Sequence, residues 1–286
     1  MASALDFLRT SQDATGGWGY FPGHYPTTEA TAAVILALRG NSEASDLIES
    51  GLQWLRATQH ADGGWGYVAD DEESGWQTAW AVLVFSQMKI LDDVYRKGVD
   101  WLIDVKPLGN RGDDFSKYDE MIDPNDAIVY SWPWYPGELG WVEPTSLAIL
   151  ALENETGDQV VATRIEQAKK YIQQRRCPGG GWNVGNPVMF EQALPARAPQ
   201  TAVALIAMLA SGSNPKDEND IAAMRRDMLD DVSPLALAWG SLALKLLGYD
   251  HADMITMLSS LQQENGSWTD NNYHTAIALM AERGTI

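Results

Sequence analysis

Residues 59–85 read QHADGGWGYVADDEESGWQTAWAVLVF and contain both halves of a unit that recurs along the chain. The first half is a Gln-x-x-x-Gly-x-Trp turn, in which glycines permit a tight bend and the tryptophan can cover a neighbouring helix end. The second half is a short apolar helix that begins beside Thr78. The turn occurs as Gln12 to Trp18, Gln59 to Trp65 and Gln262 to Trp268, and with arginine for glutamine as Arg176 to Trp182.

The apolar helix has six copies, each running into Ala, Leu, Ile and Val. Proline, threonine or serine near the first turn indicates a helix start, because the amides there have no intrahelical partner. The six starts are Glu29-Ala30-Thr31-Ala32, Trp76-Gln77-Thr78-Ala79, Glu143-Pro144-Thr145-Ser146, Pro199-Gln200-Thr201-Ala202, Ser233-Pro234-Leu235-Ala236 and Tyr273-His274-Thr275-Ala276.

More amphipathic segments separate these copies and carry an aromatic–aliphatic step such as Trp54-Leu55 or Trp101-Leu102. A helix that is apolar nearly all round must be buried on most sides, and a helix pair cannot bury its faces alone. The sequence therefore predicts an all-α fold, an (α/α)6 toroid of six helix-pair repeats. We expect one domain over residues 1–286, with a long loop insertion at about 105–141.

The composition limits the partners. With 20 Lys and Arg against 39 Asp and Glu, the net charge of −19 repels nucleic acid and anionic bilayers. No apolar run approaches the roughly 18 residues of a membrane span, and the N-terminus shows no secretory signal. Cys177 is the only cysteine, which excludes an internal disulfide. We expect a soluble cytoplasmic protein.

The glycine–tryptophan turn, followed by Gln-Thr-Ala-Trp-Ala (77–81) or Glu-Pro-Thr-Ser-Leu-Ala (143–148), resembles squalene-hopene-type terpene cyclases and their prenyltransferase relatives. The likeness spans nearly the whole chain and implies a toroid with a central hydrophobic cavity. Family cyclases protonate an alkene with an Asp-x-Asp-Asp motif, which this chain lacks. In the prenyltransferase relatives Asp, Cys and His hold zinc; His274 resembles that histidine, but the matching Asp-x-Cys is missing. No metal site is predicted.

Candidate catalytic residues lie at the starts of the inner helices, which point toward one mouth of a toroid. Glu29 and Glu143 occupy nearly equivalent positions, and a carboxyl beside a dry aromatic cavity has the raised pKa that an alkene-protonating acid requires. The alternative is that each caps its helix and interacts with the helix dipole. The predicted catalytic residues are Glu143, Glu29 and His274.

The insertion combines acidic and aromatic residues and is predicted to form a lid. Its rings can stabilise a carbocation, and its acids can hold Mg²⁺ on a diphosphate, although the rings can equally serve as anchors. No other cofactor is predicted. The acids are Asp113, Asp114, Asp119, Glu120, Asp123 and Asp126. The predicted substrate-binding residues, inside and outside the insertion, are Trp76, Trp80, Trp132, Trp134, Tyr135, Gln77, Gln200, Trp239 and Tyr273.

Three functions compete. The first is a terpene cyclase-like enzyme acting on an isoprenoid, either a polyene or a prenyl diphosphate, bound in a central aromatic cavity. The second is a non-catalytic binding or regulatory toroid that recognises a protein or lipid partner. The third is carbohydrate processing by two carboxylates beside tryptophan platforms. A closed apolar cavity favours the first function, a filled centre the second and an open acidic groove the third.

Overall fold

The structure is a computed structural model that describes residues 3–107, 130–155 and 157–286. Within these residues, outer and inner helices alternate along the chain. The outer helices are α1 (Ala4–Ser11), α3 (Ser45–Ala57), α5 (Asp93–Asp104), α7 (Gln159–Gln174), α9 (Glu218–Asp230) and α11 (Ala252–Ser260). The inner helices are α2 (Thr28–Leu38), α4 (Gln77–Gln87), α6 (Val142–Leu152), α8 (Ala198–Ala210), α10 (Pro234–Leu247) and α12 (Asn272–Arg283). A two-stranded antiparallel hairpin, β1 (Val188–Met189) and β2 (Gln192–Ala193), lies between α7 and α8.

The inner helices form a closed ring. Each contacts the next one along the chain, and α12 contacts α2. Every residue of α2 is buried, whereas α3 buries only one stripe, which includes Leu52 and Leu55. A helix with apolar residues on all sides is stable only when neighbours surround it. The predicted all-α toroid of six helix pairs is therefore confirmed.

A tryptophan fastens each outer helix to the following inner helix in five of the repeats. Its indole N–H donates to a carbonyl near the end of the outer helix, and its backbone N–H donates to a threonine Oγ1 in the inner helix. These sets of tryptophan, carbonyl and threonine are Trp18, Leu8 and Thr31; Trp65, Leu55 and Thr78; Trp132, Leu102 and Thr145; Trp182, Ile172 and Thr201; and Trp268, Leu258 and Thr275.

The glutamine of the turn joins neighbouring repeats. Gln59 Nε2 donates to Gly63 O at 2.9 Å within its own turn and to Val94 O of α5 at 2.8 Å. The third repeat lacks this glutamine. Here the bonding side chain comes from the next outer helix instead of the turn: Arg164 of α7 donates to carbonyl groups of the connection before α6. Its guanidinium donates to Val105 O and Ser131 O, both in the insertion, and lies 4.3 Å from the centre of the Trp132 ring. Burial lowers the pKa of Arg164 to about 10.

The connections that lead from outer to inner helices lie at one end of the toroid, here called the mouth. They are residues 12–27, 58–76, 105–107 with 130–141, 175–197, 231–233 and 261–271. Backbone N–H groups at the inner-helix starts link them into a rim: Asn272 bonds to Tyr20 O, Thr28 to Tyr67 O, Trp76 to Trp134 O and Val142 to Val184 O. Among the described helices, none combines the length and apolar character that a membrane span requires.

Candidate functional site

The first turns of the inner helices bring three side chains to equivalent places at the mouth. Glu29, Glu143 and Tyr273 each stand two residues before the threonine that receives the tryptophan amide in its repeat. Thr27, rather than Glu29, caps α2, because its hydroxyl accepts the Ala30 N–H at 3.2 Å. The Glu29 carboxyl is therefore available for other contacts.

Glu29 is buried and surrounded by phenol groups. The Tyr20 hydroxyl donates a hydrogen bond to Glu29 Oε2, and Tyr273 also hydrogen-bonds the carboxyl. Burial raises the pKa of Glu29 well above its ordinary value, and the nearby charge of Glu143 raises it further, while the bond from Tyr273 lowers it. Desolvation outweighs the hydrogen bond, so the carboxyl is neutral well above the pH at which an exposed glutamate ionises.

Glu143 forms the second half of a carboxyl pair. Gln200 Nε2 donates to Glu143 Oε2 at 3.1 Å. Burial raises the pKa of Glu143, and the bond from Gln200 lowers it. A negative charge on Glu143 raises the pKa of Glu29, so the two carboxyls are electrostatically coupled. Such a pair can offer one proton donor and one negative charge in the same site.

Aromatic rings run from the mouth to the axis of the toroid. The centroids of Tyr67 and Tyr20 are 6.2 Å apart, those of Tyr20 and Tyr273 are 6.0 Å apart, and the Trp80 ring meets Tyr273 edge-on at 6.0 Å. Trp239 lies 6.4 Å beyond Trp80 and hydrogen-bonds the Tyr273 hydroxyl. The rings of Trp80, Trp239 and Tyr273 are all buried, so this part of the axis is filled by side chains.

A second aromatic group lies where the second and third connections meet. Trp76 and Trp134 pack edge to face with their centroids 4.6 Å apart. Gln77 is within hydrogen-bonding reach of the Tyr135 hydroxyl. These four residues were all predicted to bind substrate, and the fold brings them together at the rim.

Two predicted site residues make other contacts than those expected. Trp132 occupies the fastening position of its repeat, where its indole bonds to Leu102 O, so its ring packs in the wall. His274 bonds through Nδ1 to Thr269 Oγ1 at 2.8 Å, and burial lowers its pKa. In the described part of the chain, no group of three or more His, Cys, Asp or Glu side chains is arranged to hold a metal ion. The acids of the insertion lie outside the described residues, namely Asp113, Asp114, Asp119, Glu120, Asp123 and Asp126.

Tyr20 and Tyr67, which were not predicted from the sequence, line a cavity of about 440 Å³ at the mouth. This volume is within the range of about 300 to 1,000 Å³ that is usual for small-molecule sites. A signal was present, because the pentapeptide GGWGY occurs at residues 16–20 and again at 63–67. Its tyrosine follows the fastening tryptophan by two residues, as Trp134 does in the third repeat. The cavity lining consists of Tyr20, Phe21, His24, Tyr25, Thr27, Tyr67, Val68 and Asn271.

Comparison with known proteins finds a family model that matches part of the chain and several solved structures with a similar toroid. Residues 1–107 match the family model of the squalene-hopene cyclase C-terminal domain. The type II terpene cyclase MstE from Scytonema is similar with a TM-score of 0.68 and 15% identity, over 97% of this chain and 94% of that one. A variant of MstE in complex with its substrate, geranylgeranyl dihydroxybenzoate, gives a TM-score of 0.69, 15% identity and the same coverage.

An alpha-amylase from Clostridium perfringens is also similar, with a TM-score of 0.71 and 11% identity, over 99% of this chain and 96% of that one. At these identities the structural likeness establishes the fold alone. No curated protein sequence matches the chain at a significant level.

Proposed function

We propose that this α/α toroid, which is similar in fold to the type II terpene cyclase MstE, is an enzyme that acts on an isoprenoid, with Glu29 as the proton donor. The observation that carries this proposal is the burial of the Glu29 carboxyl among Tyr20, Tyr273 and the charge of Glu143. Protonation of an alkene requires a neutral acid that water does not reach, beside groups that tolerate a cation. The Asp-x-Asp-Asp motif of the family is absent, and Glu29 takes its place in this proposal.

In the proposed first step, the Glu29 O–H delivers its proton to one alkene carbon. The π electrons form the new C–H bond, which leaves a carbocation on the other carbon and a carboxylate on Glu29. The hydroxyls of Tyr20 and Tyr273 stabilise that carboxylate by donating hydrogen bonds. Loss of a proton from the final cation, returned to Glu29, completes the cycle without any further reactant.

The rings at the axis are proposed to stabilise the cation. The faces of Trp80, Trp239 and Tyr273 carry the negative end of a quadrupole, which attracts a positive charge most strongly where water is excluded. Glu143 adds a negative charge to the same region. The isoprenoid tail is proposed to occupy the mouth cavity that Tyr20 and Tyr67 line, with its terminal alkene directed toward Glu29, which bonds to the Tyr20 hydroxyl.

We propose that the substrate is an uncharged polyene rather than a diphosphate. The residues assigned above to the site include two glutamates and neither lysine nor arginine, and the whole chain carries a net charge of −19. A diphosphate at this mouth is repelled unless Mg²⁺ neutralises it. Magnesium is therefore a requirement only for a diphosphate substrate.

The test is incubation with squalene, farnesyl diphosphate and geranylgeranyl diphosphate, with and without Mg²⁺, followed by native mass spectrometry and product analysis. We expect squalene to be converted, and Glu29→Gln to lower the rate by about 10²- to 10⁴-fold, the usual contribution of a general acid. Glu153→Gln is the matched control, because Glu153 follows the far end of α6, the helix in which Glu143 lies in the first turn. Conversion that survives Glu29→Gln contradicts the assignment.

The filled axis supports a second candidate, a non-catalytic toroid that binds a lipid or protein partner. Saturable binding of squalene without any product favours this candidate. A carboxyl pair also serves glycoside hydrolysis, so starch is included as a substrate. Release of reducing sugar that is lost in Glu29→Gln assigns the pair to carbohydrate chemistry instead.

A further inference from the structure

A cavity of about 500 Å³ lies in the outer wall of the toroid, between the C-terminal end of α5 and one face of α7. Val160, Arg164 and Gln167 follow one another at spacings of four and three residues, so α7 presents them on the same face. Lys106, just after α5, and Tyr130 also line the cavity. We call it the wall cavity. It shares no described residue with the mouth cavity or with the carboxyl pair.

Arg164 brings to the wall cavity a positive charge that no described carboxylate neutralises. The residue is only 7% exposed, and its Nη2 donates to Val105 O at 3.0 Å and to Ser131 O at 3.4 Å. Among the described residues, Nη1 has no acceptor and the buried Nε has no partner. The two carbonyls and the Trp132 ring stabilise the guanidinium but cannot cancel its charge, and an unpaired charge is costly to bury. The lowered pKa of Arg164 reflects this cost.

The wall cavity reverses the sign of the charge that the whole chain carries. Its described lining has two cations, Lys106 and Arg164, and one acid, Asp104, whereas the net charge of the chain is −19. The Lys106 side chain is exposed and makes no ion pair or hydrogen bond with another described residue. A concave surface with a local excess of positive charge attracts an anion that the rest of the surface repels.

The remaining lining suits the uncharged part of a small organic anion. Ile103 and Val160 provide apolar contacts, and the Tyr130 ring provides a flat surface. Gln167 is half-buried, and its amide makes no hydrogen bond with another described residue. The volume is within the range of about 300 to 1,000 Å³ that is usual for small-molecule sites, which combine apolar walls with a few polar groups.

We propose that the wall cavity binds a small organic carboxylate, whose oxygens accept hydrogen bonds from Arg164 Nη1 and the Lys106 ammonium while its apolar part packs against Val160. A carboxylate supplies the negative charge that Arg164 lacks, and hydrogen bonds between ionised groups are about twice as strong as those between neutral ones. Arg164 also bonds to two carbonyls of the insertion, so the bound anion stabilises the connection between α5 and α6. The inference does not depend on the proposed chemistry, because the two sites are separate.

The test is titration of the full chain with benzoate, measured by isothermal titration calorimetry and saturation-transfer NMR. Benzamide has the same shape without the charge, and we expect benzoate to bind at least about tenfold more tightly. Lys106→Gln should weaken benzoate binding by about two- to fivefold, the usual effect of an exposed ion pair. Lys170→Gln removes the same charge from an exposed position of α7 outside the cavity and is the matched control, which should not weaken binding.

Val160→Trp locates the site, because residue 160 lines the cavity and is 59% exposed, so a larger side chain there obstructs the cavity without disturbing the core. Benzoate should raise the Tm of the parent but not that of this variant. Arg164→Gln should also abolish binding, but it removes the bonds to two carbonyls, so Val160→Trp carries the test if that variant does not fold.

Three results overturn the proposal. The first is a parent chain that binds neither probe or binds benzoate and benzamide equally. The second is benzoate binding that Val160→Trp and Lys106→Gln both leave unchanged. The third is inorganic phosphate that binds in the wall cavity more tightly than benzoate, which assigns the cavity to a phosphate instead of a carboxylate.

Discussion

The Tyr20 hydroxyl donates a hydrogen bond to the buried carboxyl of Glu29, which joins the connection and the inner helix of the first repeat at the mouth. The two residues come from different parts of the repeat. Glu29 is in the first turn of α2, whereas Tyr20 follows the fastening tryptophan in the preceding connection. One repeat therefore supplies both the acid and its hydrogen-bond donor, and the closed ring of helices encloses both.

Glu29→Gln is expected to alter the pH dependence of stability. Burial raises the folded-state pKa of Glu29 above its ordinary value of 4.5, so above that pH the unfolded chain ionises while the folded chain does not. The stability of the parent therefore falls as pH rises through the folded-state pKa, and below 4.5 this contribution is fully present. The glutamine variant lacks this loss, so the Tm of the variant should rise relative to that of the parent as the pH increases above 4.5.

Thermal unfolding across this pH range provides the measurement. Glu138→Gln, which changes an exposed glutamate at the mouth, is the control and should leave the profile unchanged. A constant difference in Tm between Glu29→Gln and the parent at every pH is the contrary result.

Substitution by phenylalanine should destabilise the protein more at Trp65, which packs in the wall, than at Trp80, which lies at the axis. Trp65→Phe removes the indole N–H that bonds to Leu55 O, whereas the buried Trp80 Nε1 has no hydrogen-bond partner among the described residues. Both substitutions remove the same volume, so the difference between them isolates the hydrogen bond. We expect Trp65→Phe to lower the free energy of unfolding by about 1 kcal/mol more than Trp80→Phe, measured by urea denaturation. Equal losses contradict this reading.

Thr78→Val tests the link between the fastening tryptophan and the inner helix. The Thr78 hydroxyl accepts the Trp65 N–H at 2.9 Å, and valine leaves that buried amide without an acceptor. We expect a loss of about 1 to 3 kcal/mol in the free energy of unfolding. Thr163→Val, at an exposed position of α7, is the matched control and should change stability by less than about 0.5 kcal/mol.

Gly63→Ala tests the tight approach of the turn to α5. Gly63 has a φ of +94°, and an added Cβ meets the Lys97 carbonyl oxygen at 2.6 Å. Gly23 also has a positive φ, of +77°, but an added Cβ there meets nothing within 4 Å. Both alanine variants strain the backbone, and we expect Gly63→Ala to have the lower Tm of the two. A Tm for Gly63→Ala equal to that for Gly23→Ala removes the steric explanation.

Much of the site could be read from the helix starts. The Thr-Ala pairs identified which residues open each inner helix, and an α/α toroid directs those starts toward one end. Glu29, Glu143 and Gln200 were predicted on this basis, and the fold brings them together. Helix periodicity says less about the connections, and Tyr20 and Tyr67 were missed because no helix pattern marks residues that follow a turn.

The sequence by itself determined the six repeats, the inner and outer helices and the end at which the acids gather. These follow from local rules, because the polarity of a helix face and the chemistry of a helix start are properties of neighbouring residues. The tertiary structure alone decided that Trp132 fastens the wall while Trp80 and Trp239 fill the axis. It also decided that the pKa of Glu29 is raised, since the pKa of a carboxyl depends on burial and on charges from distant parts of the chain.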